Sequence, residues 1–393
     1  DIFDNRGNAK HQTVLSEGYV NSAWVFSGMQ DVTNSAIDMY DMTGHAEVKS
    51  YNSAVISGTN FIGVDAINYM QYDKFGNVES ENVRSYNDEL KTELREYKEV
   101  VNVYGNDVSR KRGNAETSTV SRWVKDTKLD AEWIDKTVMT TSAFDNQGRA
   151  IDQVQDIWTF DAGTSGLKLA FHNVIKNLNY SNRGDAGTQQ ITSYKVVGTT
   201  NVLTDYKVYT NREYDASHNI ANQMVITYAD QASTTPLDVQ EIRSLSPNAQ
   251  GVPTQQIIVT YTDVLKTSQL GVKVIDNSNM TAQGYVKTRV ITNYATVTYT
   301  GGDTTKAITG WSGMLDRQTI TTDMFDNRGN AKHQTVLSEG YVGGAWLFSG
   351  MQDVTNSAID MYDLTGHAEV KSYNSPTIAP ANFIGVDAIN YTQ

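Results

Sequence analysis

The sequence predicts an all-β fold: tandem β-hairpin repeats of about 36 residues forming a continuous, curled antiparallel sheet that closes as a tube, shell or β-solenoid. Three observations predict it. A short turn motif returns along the whole chain, and β-branched and aromatic residues follow each turn at fixed distances. The composition, rich in Asn, Thr, Val, Tyr and Gly with 22 Tyr and only 5 Pro in 393 residues, suits strands joined by tight turns.

The turn motif is an aromatic, Asp, two variable residues, Gly, then Asn or another polar residue. It stands as FDNRGNA (Phe3 to Ala9), YDMTGHA (Tyr40 to Ala46), YDKFGNV (Tyr72 to Val78) and FDNQGRA (Phe144 to Ala150). Weaker forms are SRKRGNA ending at Ala115, YSNRGDA from Tyr180 and YDASHNI from Tyr214. The anchors are Gly7, Gly44, Gly76, Gly113, Gly148, Gly184, His218, Gly251 and Gly284, and then Gly329, with Asp4, Asp41, Asp73, Asp145 and Asp215 opening the clearest turns. Asp caps local N–H groups and Gly accepts positive φ, so each anchor reads as a type I turn followed by a left-handed residue, a common bulged hairpin loop.

Seven residues past the anchor stand Val14, Val83, Val120, Ile191, Val225, Ile258 and Ile291, and five past it Gln12, Gln153, Gln189, Gln223 and Gln256. Ten past it comes an aromatic ladder: Tyr86, Trp123, Trp158, Tyr194, Tyr228, Tyr261 and Tyr294. In an extended chain, positions five and seven share one face and position ten lies on the other. Stacked units then place like residues beside each other, so the ladder and the Gln column read as structural. Two stretches have helical spacing, DELKTELREYKEVV (Asp88 to Val101) and GLKLAFHNVIKNL (Gly166 to Leu178). Repeat register outweighs local propensity, so both are predicted as strands. Thr300 to Met314 reads as an inserted, exposed loop, and Arg110-Lys111-Arg112 as a solvated turn.

A longer period lies above the short one. Residues 1–71 return at 323–393, an offset of 322, with about 60 of 71 positions identical. The organisation predicted is one long repeat of about nine hairpin units over 1–322 and the start of a near-identical second over 323–393. Asp1 is read as a cut within a longer chain.

Composition narrows the chemistry. With no cysteine there is no disulfide framework, thiolate metal site or cysteine nucleophile. A net charge of −13 argues against a nucleic-acid partner. No window approaches the roughly 18 apolar residues of a membrane-spanning helix. The histidines form no HExxH or HxH pair, and GxSxG, Walker and GxGxxG patterns are missing. No catalytic, cofactor-binding or metal site is predicted, and the Asp-rich turns imply at most weak Ca2+ binding.

At YDKFGNV, YDMTGHA and FDNQGRA the chain resembles YD repeats, the Tyr-Asp-x-x-Gly units of Rhs proteins, toxin-complex shells and teneurins. The resemblance implies β-hairpins built into a long sheet that spirals into a hollow shell, at the cell surface or in secreted assemblies. It covers about six of the nine units. The family usually has Arg after the Gly; here only Arg149 fits, with Asn8, Asn77 and Asn114 in its place, and the family's repeat is nearer to about 20 residues. Repeat and resemblance together predict a non-enzymatic, extracellular or cell-surface structural protein forming a fibre or tube, whose partner is itself. The alternatives are an adhesin recognising cell-surface glycans through exposed aromatics and a hollow shell enclosing cargo.

Overall fold

The computed structural model describes residues 2–20, 22–161, 163, 166–359 and 365–391. Two compact units divide the chain: Asp1–Asn211 with Asp215–His218 and Tyr228–Ser233, and Arg212–Tyr214 with Asn219–Thr227 and Thr234–Gln393. This division follows contacts, whereas the 322-residue period is a property of the sequence.

The fold is all-β, with 23 strands among the described residues. The first unit holds β1 (Ile2–Phe3), β2 (Ala9–Val20), β3 (Ala23–Ser35), β4 (His45–Tyr51), β5 (Phe61–Tyr72), β6 (Val78–Tyr86), β7 (Leu94–Val103), β8 (Thr117–Trp123), β9 (Trp133–Phe144), β10 (Ala150–Asp161), β11 (Gly166–Tyr180), β12 (Ala186–Val197) and most of β13 (Thr200–Tyr214). Most of β14 (Ile220–Tyr228) belongs to the second unit. With it go β15 (Asp238–Pro247), β16 (Pro253–Tyr261), β17 (Gln269–Met280), β18 (Val286–Tyr299), β19 (Ile308–Phe325), β20 (Ala331–Val342), β21 (Ala345–Ile359), β22 (Thr365–Tyr373) and β23 (Phe383–Asn390). Within each unit the described ladders are antiparallel and join strands consecutive in sequence, a plain succession of hairpins. Among the described residues, hydrogen bonds do not close the strands of either unit into a barrel.

Gly166 to Leu178 is extended within β11 (Gly166–Tyr180), and of Asp88 to Val101 the part from Leu94 is extended as β7 (Leu94–Val103), while Asp88 to Glu93 form the turn before it. Register with neighbouring hairpins has overridden propensity. Two expectations need correction. Of Thr300 to Met314, only the first residues form a connection; Ile308 onward is β19, paired Tyr299↔Ile308 and Val297↔Trp311. The insertion lengthens a hairpin because its Thr, Ile and Trp residues continue the ladder. Arg110-Lys111-Arg112 ends a short helix, Asp107–Arg112, capped by Asn106 at its start and by Gly113 at φ 70°. The connection from β7 to β8 is too long for a tight turn, and Asn106 takes up the freed N–H groups of Val108 and Ser109.

All but one of the described ladders that follow an anchor carry a β-bulge at one height; in β14–β15, after His218, the register runs without a shift. The register shifts between Ser50 and Tyr51, Ser85 and Tyr86, Arg122 and Trp123, Ile157 and Trp158, and Ser193 and Tyr194 in the first unit. In the second it shifts between Thr260 and Tyr261 and between Asn293 and Tyr294. The extra residue always lies on the returning strand: Ile62, Arg95, Ile134, Ala170, Thr204, Leu270 and Leu315 are the ones skipped. Beyond it the aromatic faces an apolar partner in six of these seven ladders, as in Tyr51↔Phe61, Tyr86↔Leu94, Trp123↔Trp133 and Tyr294↔Met314; Tyr261 faces Gln269 instead. Rings meet across that pair, with centroids 5.9 Å apart for Tyr51–Phe61 and 4.1 Å for Trp123–Trp133. Trp123 is buried, and its indole N–H, like that of Trp158, has no partner, so ring packing rather than hydrogen bonding selects these residues.

Trp123→Ala is expected to lower stability by about 3–5 kcal/mol and Trp123→Phe by less than about 1.5 kcal/mol. At the turns, Gly76→Ala forces a side chain into φ 83° and is expected to cost about 1–2 kcal/mol. Gly28→Ala, where an added Cβ meets nothing within 4 Å, is expected to cost no more than about 0.5 kcal/mol. Urea unfolding followed by far-UV circular dichroism checks all four.

Candidate functional site

Within each unit the anchor turns close successive hairpins at the same end of the strands. In the first, the Gly7 N–H donates to the Asp4 carbonyl at 3.1 Å, and the Asp4 carboxylate accepts from the N–H groups of Arg6 and Asn8 at 2.8 and 2.9 Å. Asp73 does the same for Phe75 and Asn77, and Asp145 for Gln147 and Arg149. Ser181 and Asn248 take the Asp place before Gly184 and Gly251. Gly7, Gly76, Gly148, Gly184, Gly251, Gly284 and Gly329 have positive φ, and so does His218, at 64°. Bonds from the Asn8 side chain and N–H lower the Asp4 pKa to about 2.

The turn after β3 departs from the predicted register. Gly44 does not have positive φ; Asp41 does, at 65°, and Asp38 caps the N–H groups of Tyr40 and Met42. The turn is Asp38 to Asp41, three residues earlier than YDMTG suggests. Gly44 is used for close approach, since a Cβ there would lie 2.9 Å from the Ala36 carbonyl oxygen. Counting ten from Asp41 reaches Tyr51, so this unit also obeys the aromatic rule.

Residues beside each anchor tie neighbouring turns together. Asn8 donates to the Asp41 carboxylate at 2.9 Å, Asn77 to the Arg110 carbonyl at 2.6 Å and Arg149 to the Ser181 carbonyl at 2.9 Å. Asp185 pairs with His218 at 2.5 Å. Arg110, far from being a free cation, lies 3.2 Å from Asp73 and 3.0 Å from Glu79. A second tie escaped the sequence reading. Asn34, Asn177, Asn211 and Asn277 each stand seven residues before an anchor and donate to the carbonyls of Ala9, Ala150, Ala186 and Pro253, each two residues after the preceding anchor. An Asn column at that spacing is the signal that would have found it.

The +10 aromatics do not contact one another in the first unit's ring pairs. Trp123 meets Tyr97 and Trp133, Tyr194 meets His172, and Tyr228 meets Tyr206. In the second unit Tyr294 meets Trp311, and the Tyr261 hydroxyl bonds that of Tyr299 at 2.9 Å. Like positions recur on every second strand, about 9–10 Å apart, beyond ring-contact range, so the strand between supplies the partner. The Gln column does form a relay: Gln189 donates to Asn177, Asn177 to Gln153, and Gln153 to Thr141.

The strongest polar constellation lies in the second unit. Glu241, on β15, is fully buried and accepts from Arg212 at 2.8 and 2.9 Å, from Arg243 at 2.9 Å and from Lys266 at 2.5 Å. Arg243 also donates to the carbonyls of Thr304 and Lys306, and Asn222 to that of Thr305. The β18–β19 connection thus folds over the cluster and supplies the acceptors that the guanidinium groups need. Burial pushes the Glu241 carboxyl up, but the bonds from Arg212, Lys266 and Arg243 outweigh it and hold its pKa below the ordinary value. Every charge in the cluster is engaged internally, which fits a clamp rather than a reacting group.

Elsewhere, a groove of about 610 Å³ is lined by Asp38, Tyr69, Tyr72 and Asp73, with the Tyr72 hydroxyl donating to the Thr43 carbonyl at 2.7 Å. Burial raises the Tyr72 pKa to about 12. Histidines are paired: His11 with Asp31, His45 with Asn68, His172 with Asp156. Among the described residues no group of three or more His, Asp or Glu could hold a metal ion, and no helix is long and apolar enough to cross a membrane.

Glu241→Gln leaves the buried Arg243 and the half-buried Arg212 and Lys266 short of their counter-charge and is expected to cost about 3–5 kcal/mol at pH 7. Because its folded pKa is depressed, the stability Glu241 contributes is complete above about pH 4.5 and is lost as pH falls through the folded pKa. Urea unfolding at pH 7 and in steps below pH 4.5 should show the variant approaching the parent as pH falls.

No sequence family and no curated protein matches the chain. Among solved structures, the crystal structure of TcdB2-TccC3 without its hypervariable C-terminal region aligns at TM-score 0.18 and 10% identity, over 100% of this chain and 25% of that one. The chain therefore spans about a quarter of that protein's length, and a likeness at this score carries no argument about function.

Proposed function

We propose that this chain is part of a structural tandem-repeat protein: a non-catalytic β-hairpin array, extracellular or at a cell surface, whose length is its function and whose partners are neighbouring repeats of its own kind. The observation that carries this is the reuse of 71 residues at an offset of 322 with about 60 positions unchanged. Selection for a specialised site would let copies diverge. What the repeat keeps instead is the material of turns, bulges and inter-turn ties. The YD-like motif at Tyr72 to Val78 and Phe144 to Ala150 is in keeping with a secreted or surface-exposed hairpin sheet.

An adhesin reading has less in its favour. It calls for the aromatic column to face solvent, and Trp123 is 5% exposed. Cryo electron microscopy of the parent protein tests the proposal. Filaments or tubes whose axial repeat accounts for a 322-residue unit are the expected result; sealed shells around a cargo, or flexible strings that bind glycans, would overturn it.

A further inference from the structure

The duplicated segment shows one sequence in two surroundings. In the first copy, β2 and β3 pair Ser16↔Gly28 and then Glu17↔Phe26, leaving Ser27 as the bulge residue. The turn Asp215–His218, in the same compact unit, sits on that bulge. Ser217 Oγ donates to the Ser27 carbonyl at 3.3 Å, and a Cβ added to Gly18 would collide with the backbone of Ala216. Ala216 is itself buried. In the second copy, β20 and β21 keep the same register, Ser338↔Gly350 and then Glu339↔Phe348, with Ser349 as the bulge residue. There a Cβ on Gly340 would meet nothing within 4 Å, and Ser349 is exposed.

Both halves of the covered contact are exceptions to the rules of the repeat. The first unit has Glu17-Gly18 where other units carry an aromatic at +10, so the floor of the bulge is open. The occupying turn has Ala216-Ser217-His218, where the other Asp-opened turns carry at least one long side chain before Gly. Two small residues on the turn meet a glycine on the strand, and a bulge supplies a carbonyl that its ladder leaves free. The exceptions are explained by their meeting.

We infer that Gly340 and the Ser349 bulge form a docking seat for a turn of the Ala-Ser-His type, supplied by the second long repeat, as Asp215–His218 is by the first. This rests on the tandem-array reading. Seat and occupant are 190 residues apart (217 − 27), well short of the 322-residue period, so each long repeat would carry its own seam. An array with one turn of sheet per long repeat would place this contact elsewhere.

The chain has no cysteine, so an introduced pair can be cross-linked without background. The control is Ser27→Cys with Ser217→Cys in the 393-residue chain, treated with a short bifunctional maleimide and mapped by peptide mass spectrometry. The test chain appends residues 72–322 after Gln393, completing a second long repeat. It carries Ser349→Cys and the same change at the second repeat's counterpart of Ser217. Cross-linking within one molecule at both pairs is the expected result. A linked control with an unlinked test pair, or linkage only between molecules, overturns the inference, and so does an unlinked control, because the template contact is then missing.

Glycine variants give a second readout. Gly18→Ala should lower the thermal midpoint of both chains, whereas Gly340→Ala should leave the 393-residue chain unchanged and lower the extended one. Equal effects of Gly340→Ala in the two chains would contradict the seat. Linked pairs in a protein that forms no filaments would retain the seat and remove the fibre reading; filaments without the linked test pair would do the reverse.

Discussion

A fixed distance recurs through this molecule: in seven of the hairpins, ten residues separate the left-handed residue of the anchor turn from the aromatic at the bulge. The turn sets the register of two strands, and the bulge then adds one residue to the returning strand at a constant height. A bulge bends its strand and strengthens the local right-handed twist. Where successive hairpins of one unit are bent at the same level, the bends add instead of cancelling. The cross-strand pair beyond the bulge, Trp123 with Trp133 or Tyr51 with Phe61, closes over the distortion and fixes its place. Each such pair contributes on the order of 0.5–1.5 kcal/mol beyond the area it buries, and slipping the register would lose it.

Polar side chains do the complementary work at the turns. A turn leaves carbonyls pointing out of the sheet, and the residue after the anchor reaches across to the next turn to satisfy one. Asn77 and Arg149 differ in length, yet each reaches a carbonyl of the neighbouring turn, and Asn8 reaches the Asp41 carboxylate instead. The Glu241 cluster follows the same logic under burial. A guanidinium brings five N–H groups into a site with little water, and one carboxylate cannot answer two of them and an ammonium. The backbone of Thr304 and Lys306 answers the rest, which gives the lengthened β18–β19 hairpin a physical reason.

The sequence makes much of this legible, and where it fails the failures share one cause. Turn chemistry is local, so Asp4–Gly7, Asp73–Gly76 and Asp145–Gly148 are readable from the string alone. The extended state of β7 and β11 is readable from repeat register even against a helical spacing. Bulges are a property of a pair of strands and leave no mark on the strand that carries the aromatic. Hence the column at +10 is visible in the sequence, whereas the strand that supplies each ring's partner is not. Asp41–Gly44 misleads because its letters match Asp73–Gly76, and only the caps from Asp38 show the earlier turn. Arg212 on β13, Glu241 and Arg243 on β15 and Lys266 in the β16–β17 connection converge from three parts of the chain, so no single spacing in the sequence reveals the cluster.

The two copies separate what a hairpin decides for itself from what its neighbour decides. Strands β2–β3 and β20–β21 have the same register and the same bulge, so those features come from the local sequence. Burial does not follow the sequence. Phe61 and Val64 on β5 are 6% and 1% exposed, whereas their counterparts Phe383 and Val386 on β23 are 46% and 51% exposed. The β5 strand is paired to β6 as well as to β4; β23 has a described ladder on one side only. Geometry is therefore intrinsic to each hairpin, while its hydrophobic stabilisation arrives with the next strand, the nearest-neighbour behaviour of quasi-one-dimensional repeat proteins.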